Sequence, residues 1–317
     1  MRRRLVIVLA ALAASGALAP AGARAAAIGF SEQQPSMFYD PLFRDLGVRH
    51  ARLIVSWNAI RHDYERQEIS AWLFAATLAH VKPLVSFTHA RDCFARTCKL
   101  PGVSQYKSAF LAFRRAYPTV KEYSPWNEAN HFSQPTYRHP HAAASYYNVV
   151  RAHCPRCTIV ALDVLDQGDA VKYVKTFLRY AKAPHNPKIW GLHNYSDTNR
   201  FRSSGTRRIL RAVKGPIWLT ETGGVVKFGR AFPYSPARAA KATTYMFRLA
   251  TLSRRISRMY IYQWTGARRN ARFDSGVIGP DGRPRPAYKV IRRWLGRPRP
   301  AAKPRDAAAD DGPRGRR

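Results

Sequence analysis

Eight times along this chain a short apolar run is followed by a segment with helical spacing, and that alternation constrains the fold more than any other feature. The runs are Ala27–Phe30, Ala51–Ser56, Pro83–Thr88, Val120–Ser124, Thr158–Leu162, Ile189–His193, Pro216–Thr220 and Met259–Trp264. Most are continuously apolar, as parallel strands buried on both faces must be. Between them, Ile69 to Val81 carries Ile69, Trp72, Leu73, Ala76 and Leu78 at roughly helical spacing. Ser104 can cap a helix through Tyr117 that Pro118 ends. Ala142 to Ala152, Ala170 to Ala181, Arg207 to Val213, Pro236 to Leu252 and Pro286 to Leu295 complete the helical stretches, with Pro236 and Pro286 where a first turn accepts proline. An open doubly wound sheet would carry a glycine-rich phosphate loop after its first strand. The chain instead reads Gly29-Phe30-Ser31-Glu32-Gln33-Gln34-Pro35 there. The pattern predicts an α/β protein built as a single-domain (β/α)8 TIM barrel, with no internal repeat and no second domain.

The two ends differ from the middle. Arg2, Arg3 and Arg4 precede an uncharged apolar stretch from Leu5 to Ala19, and Ala23-Arg24-Ala25 offers a small-x-small cleavage site. Residues 1–25 therefore read as an export signal that is removed. The stretch is short for a membrane anchor, and Pro20 and Gly22 break it. Arg2-Arg3 also fits a twin-arginine pattern loosely, which leaves the export route open. Residues 297–317 are rich in Pro, Ala, Gly, Arg and Asp without apolar periodicity, so a disordered tail is expected. The remaining residues, 26–296, match the usual size of one such barrel. A secreted or wall-associated monomer with no membrane span after signal removal is the expectation.

Charge bears on partners. The formal net charge is +35, and four units each belong to the signal and the tail, leaving +27 on the domain. Such a surface is drawn to polyanions, among them anionic cell-wall polymers and acidic glycans. An arginine-rich composition with no specific partner accounts for it equally well, and no motif specifies a nucleic acid. The four cysteines, Cys93, Cys98, Cys154 and Cys157, could suggest zinc by their spacing. In a parallel barrel, however, the loop after the third strand and the loop before the fifth lie at opposite ends. Two local disulfides, Cys93–Cys98 and Cys154–Cys157, are therefore expected, and no metal or organic cofactor.

Chemistry in a (β/α)8 barrel collects at the carboxyl ends of the strands. Strand two brings Arg52, then Ser56 and Trp57. Strand three brings His89. Strand four brings Trp126, Asn127 and Glu128, and strand six His193, Asn194 and Tyr195. Strand seven brings Glu221, and strand eight Gln263 and Trp264. Glu128 and Glu221 are 93 residues apart, yet each ends a buried run and precedes turn-forming residues. Paired glutamates are what glycosidic bond cleavage needs, one to protonate the leaving oxygen and one to attack the sugar. Amides and imidazoles suit hydroxyls, and an indole suits the apolar face of a sugar. Asp163 and Asp166 are expected to cap or line the cleft, Gly223-Gly224 to form a tight turn, and Trp57 to serve as platform or core.

With Trp126-Asn127-Glu128 ending strand four and Leu219-Thr220-Glu221 ending strand seven, the chain resembles clan A of the glycoside hydrolases, the retaining β-glycosidases built on a TIM barrel. His193-x-Tyr195, Trp264 and the stretch Ser275 to Tyr288, with Asp281-Gly282 at the tip of a turn, add to the resemblance, which spans about Ile28 to Leu295. It implies that Glu128 is the acid/base and Glu221 the nucleophile. Asn127 would hold the substrate 2-hydroxyl, Tyr195 would hydrogen-bond the nucleophile, Arg52 would keep Glu221 ionised, and Trp264 would floor the subsite where the bond breaks. His89, His193 and Trp126 join them as substrate-binding residues. The apolar Pro125-Trp126 pair is expected to raise the Glu128 pKa, as an acid requires. Arg52 has a second reading as a structural ion-pair partner, and His89 as a scaffold histidine. A non-catalytic carbohydrate- or wall-binding protein on the same barrel, or a polyanion binder, is the alternative function.

Overall fold

A computed structural model describes residues 26–93, 97–181 and 186–296. The expected signal and tail lie outside these residues. Eight parallel strands close a barrel in sequence order. They are β1 (Ala27–Ser31), β2 (His50–Ser56), β3 (Lys82–Thr88), β4 (Glu122–Ser124), β5 (Thr158–Leu165), β6 (Ile189–His193), β7 (Ile217–Thr222) and β8 (Ile256–Tyr262). Closure is made by β8 against β1, from Ala27 opposite Arg258 to Ser31 opposite Tyr262. The longest register is β2 on β3, from His50 opposite Lys82 to Ser56 opposite Thr88. The (β/α)8 expectation is met.

Helices Asp63–Leu78, Val103–Ala116, Pro140–His153, Ala170–Tyr180, Ser204–Ala212, Pro236–Ala250 and Pro286–Trp294 follow β2 to β8 in turn. The helix after β1, Pro41–Leu46, was not expected. It is too short for periodicity to reveal, but its ends are chemically marked. Asp40 accepts from the Leu42 N–H at 2.8 Å, and Gly47 closes the helix in the left-handed region at φ 61°. Ser104 is not the cap of the third-strand helix. Gly102 is, and its N–H donates to Gln105 Oε1 at 2.9 Å. The Asp281-Gly282 tip is as expected, with Gly282 at φ 74°. Gly223 and Gly224 make no turn. A Cβ on Gly224 would lie 2.0 Å from the Ala239 carbonyl oxygen, so the pair lets the chain pass close to helix Pro236–Ala250.

Two layers fill the barrel. At the bottom, Leu84, Val160, Trp218 and Tyr260 form a closed apolar cluster. Arg258 covers it, 3.8 Å over the Trp218 ring and 2.5 Å from Glu122. Above lies a buried polar layer centred on Arg52 and Asp163, both fully buried. Gly191 on β6 makes that layer possible, since a Cβ there would sit 1.9 Å from Asp163 Oδ1. Both cysteine pairs are bonded as expected, Cys93 to Cys98 and Cys154 to Cys157. Among the described residues no helix is long and apolar enough to cross a membrane.

Candidate active site

The polar layer is organised by one guanidinium. Arg52 Nη1 donates to Glu221 Oε1 at 2.6 Å and to Ser31 Oγ at 3.2 Å. Its Nη2 donates to Asn127 Oδ1 at 2.6 Å, to Asp163 Oδ2 at 2.9 Å and to Ser86 Oγ at 3.0 Å. Asp163 also accepts from Ser124 at 2.8 Å, Ser86 at 2.9 Å and Thr220 at 2.7 Å. So Asp163 neither caps a helix nor lines the cleft, because β5 runs on to Leu165 and carries it into the barrel. Burial opposes its charge, but Arg52, His193 and these donors outweigh burial and hold its pKa below the ordinary carboxylate value.

Removing one partner of a buried ion pair leaves the other stranded. Asp163→Ala should therefore lower unfolding free energy by about 3–5 kcal/mol in urea titrations. A loss below about 1 kcal/mol would show that Arg52 is not held by Asp163 in solution.

Above this layer a cleft of about 500 Å³ opens at the carboxyl ends of the strands, lined by Asn127, Glu128, Tyr195, Glu221 and Tyr262 among others. β4 stops at Ser124, and Pro125 has no N–H to continue the ladder. The chain beyond is tied to its neighbours by Asn127 N–H to Phe87 O at 2.7 Å and Ala129 N–H to Asp163 O at 2.9 Å. Glu128 sits between these ties in the left-handed region at φ 46°, a conformation unfavourable for a side chain of its kind. Its carboxyl group thereby faces Glu221. A carboxylate oxygen of each, with a ring nitrogen of His193, all lie within 4.8 Å of one another. The two carboxyl groups thus meet across one cleft.

Glu221 is held on both oxygens. Arg52 binds Oε1, and the Tyr195 hydroxyl donates to Oε2 at 3.2 Å. Burial, then the Glu221 charge, raise the Tyr195 pKa well above its usual value, so it stays a donor. His193 is wholly buried, with Nδ1 3.1 Å from Glu128 Oε1 and 3.8 Å from Glu221 Oε2. Burial alone would lower its pKa, but the Glu221 charge and the bond to Glu128 outweigh burial and raise it.

The expected rise in the Glu128 pKa is not found. Burial pushes it up, but the hydrogen bond and charge of His193, then His131 and Arg52, bring it below the ordinary value. The Trp126 ring cannot counter this because it turns into the core. It packs on Tyr146 at 5.1 Å and donates to Gln134 Oε1 at 3.1 Å. Trp126 is thus not a cleft residue. His131, 3.8 Å from Glu128 Oε2, was not anticipated, although its position three residues after Glu128 was a readable signal.

Trp264 does not floor the cleft. β8 ends at Tyr262, two residues earlier than expected, and the Trp264 ring is buried between Phe30 and Phe43 with Nε1 on Asp40 Oδ2 at 3.0 Å. Gln263 turns its amide to the Thr265 carbonyl at 2.8 Å. The apolar wall is supplied instead by Tyr195, Tyr262, Phe228, Phe232 and Phe273. Phe228 and Phe273 belong to a two-stranded antiparallel ribbon, Lys227–Phe228 with Phe273–Asp274, that joins the loops after β7 and β8. A buried bidentate pair, Arg285 to Asp274 at 2.8 and 2.9 Å, anchors that ribbon. His89 also lies away from the cleft, with Nδ1 2.7 Å from Ala90 O and 3.7 Å from Cys93 Sγ. Trp57 is half-buried against the core under Arg61. Asp166 does line the cleft, and burial pushes its pKa up to about 6.

Glu128, His193 and Glu221 are spaced so that they could also hold a divalent cation. Arg52 already supplies a fixed positive charge on Glu221. The bonded sulfurs of Cys93 and Cys98, near His89, are not thiolate ligands.

No protein-family model matches the chain, and no curated protein matches its sequence. Solved structures match its fold. A family 39 glycoside hydrolase from the gut symbiont Bacteroides cellulosilyticus aligns over 85% of this chain with TM-score 0.58 and 15% identity, and the chain spans only 63% of that protein. GH5_18 from Streptomyces cattleya, in complex with GlcNAc, aligns over 89% with TM-score 0.61 and 15% identity, covering 83% of that protein. Xylanase 10B from Thermotoga maritima aligns over 86% with TM-score 0.60 and 12% identity, covering 95% of it. In fold, this chain is therefore a (β/α)8 barrel of the kind seen in clan A glycoside hydrolases.

Proposed function

We propose that the chain is a retaining β-glycoside hydrolase acting by double displacement. The observation that carries this reading is the opposed pair of carboxyl groups with oxygens within 4.8 Å, one of them fixed by Arg52 and Tyr195. Glu221 attacks the anomeric carbon while Glu128 gives a proton to the departing oxygen. Glu128 then takes a proton from water, which displaces Glu221 and returns it as a carboxylate. Asn127, fixed by Arg52, is placed at the cleft to bind the sugar, and the aromatic wall takes its apolar face. GH5_18 neighbours crystallised with GlcNAc and with Manb1-4GlcNAc suggest that β-linked hexose and N-acetylhexosamine units be screened first, with β-xylosides beside them. The test is the anomeric configuration of the first product, followed by NMR on aryl β-glycosides of these sugars. Initial release of the β-anomer supports the reading. Initial release of the α-anomer, or no hydrolysis across the panel, overturns it.

The Glu128–His193 contact sets the pH profile. His193 lowers the Glu128 pKa, so its loss lets Glu128 keep its proton to higher pH. In His193→Asn the alkaline limb of kcat/KM should therefore move to higher pH. A limb that stays in place or moves down would mean that Glu128 is not the titrating acid.

A further inference from the structure

The outer surface is divided by charge. From Ala170 to Pro280 the chain carries only three carboxylates, Asp197, Glu221 and Asp274, and all three are buried. This stretch supplies β6, β7 and β8 and the loops that build one side of the cleft. The exposed carboxylates of the described residues lie outside it, at Asp45, Asp63, Glu68, Asp92, Asp169 and Asp281. Within it, cations gather at the mouth of the cleft. Arg200 lines the cleft and lies 5.5 Å over the Phe232 ring. Arg230 stands in the turn between Phe228 and Phe232, which bridge each other. The Gly229 N–H donates to the Arg272 carbonyl at 2.8 Å, and Lys227 Nζ donates to the Arg269 carbonyl at 2.6 Å. Arg268 opens a turn that the Ala271 N–H closes at 2.9 Å. These bonds bring the arginines of two loops to the same end of the ribbon. Arg200, Arg230, Arg268, Arg269 and Arg272 are all exposed, and none has an ion-pair partner among the described residues.

Like charges gathered on one rim repel one another and draw anions from solution. The ribbon beside them is anchored by the buried Arg285–Asp274 pair, so they are carried on a fixed scaffold. Guanidinium groups pair in two-pronged fashion with carboxylate, sulfate or phosphate. The floor of the cleft has the opposite character, being lined by Glu128, Asp166 and Glu221. A neutral unit suits the floor, and an anionic group suits the rim. The aromatic residues Phe228, Phe232 and Phe273 line the cleft and are the direct chain neighbours of these cations. One glycan chain can therefore stack on the wall while its charged substituents meet the arginines. Double-stranded nucleic acid fits less well, because the acidic floor lies beside the cations and repels a continuous phosphate backbone. We propose that this rim binds the anionic substituents, carboxylate, sulfate or phosphate, of an acidic glycan whose neutral unit is cleaved in the cleft, an inference that rests on the hydrolase reading above.

The test measures binding by the full chain carrying Glu221→Gln, at about 0.15 M salt, where long-range attraction is screened. The probes are carboxymethyl-cellulose, dextran sulfate and phosphomannan, set beside the neutral hydroxyethyl-cellulose, dextran and mannan. At least one anionic polymer should bind more tightly than its neutral counterpart, and the preferred one identifies the anionic group. Adding Arg230→Gln, Arg268→Gln and Arg272→Gln together should weaken that binding roughly tenfold. Lys188→Gln, Lys214→Gln and Arg254→Gln remove the same charge from exposed positions just before β6, β7 and β8, at the far end of the barrel. That triple should change the affinity by less than about threefold. Equal weakening by the two triples, or no preference for any anionic polymer, would overturn the inference. Tighter binding of double-stranded DNA than of any glycan through the same rim would make the partner a nucleic acid and overturn it too. Reducing ends released from the preferred polymer by the parent protein test the hydrolase reading separately. Rim-dependent binding with no release would refute that reading and leave the rim as a glycan-binding surface.

Discussion

Glu221→Gln is expected to slow hydrolysis by several orders of magnitude while glycan binding survives. The substitution keeps size and an amide oxygen that can still accept from Tyr195 or Arg52, but it removes the group that attacks the anomeric carbon. The transition state loses its nucleophile, and the ground-state contacts of the cleft remain. The loss should therefore fall on kcat, with KM moving little. Calorimetry with xylo-, cello- and manno-oligosaccharides separates this from misfolding. A variant that neither binds nor hydrolyses would point to collapse of the Arg52 layer and not to loss of a nucleophile.

The second large effect concerns Glu128. Glu128→Ala should nearly abolish cleavage of natural glycosides, whose leaving oxygen must be protonated. With a dinitrophenyl glycoside the first step needs no proton, so the glycosyl-enzyme should form and then persist, because no base activates water. Azide needs no base, so adding it should restore turnover and yield the β-glycosyl azide. Failure of azide to accelerate the variant on any substrate the parent cleaves would remove Glu128 from the acid/base role. The left-handed backbone at Glu128 makes the variant a fair test of folding as well, since alanine meets the same φ without the carboxyl group.

The barrel was legible because strands buried on both faces leave continuous apolar runs, and β6 was bounded to the residue at Ile189–His193. Arg52, Asn127, Glu128, Tyr195 and Glu221 were legible as a set because a parallel barrel delivers every strand end to one face. Three particulars were not. Trp264 was expected at a strand end, but β8 stopped two residues earlier, and a tryptophan in an apolar run reads alike whether it faces a cleft or a core. Asp163 was expected to cap a helix or line the cleft because the fifth strand was read as ending at Leu162, before it. Its place depended on Gly191 from another strand, a pairing no local pattern contains. The Glu128 pKa was judged from the adjacent Pro-Trp pair, whereas the residues that set it, His193 and His131, arrive through tertiary packing. Glu65, buried with Arg91 3.7 Å away, shows the same limit. In sequence it is an acidic residue in the first turn of a helix, the ordinary mark of a solvated end.

The central claim is that Glu221 becomes covalently bonded to sugar during turnover. Incubating the protein with a panel of 2-deoxy-2-fluoro glycosides bearing a dinitrophenolate leaving group slows the second step, so the intermediate accumulates. Peptide mass spectrometry then locates the adduct. The account predicts one sugar per chain, on the peptide containing Trp218-Leu219-Thr220-Glu221, and none in Glu221→Gln. An adduct on any other carboxylate, or steady hydrolysis of the parent substrates with no covalent species at any time, would contradict it.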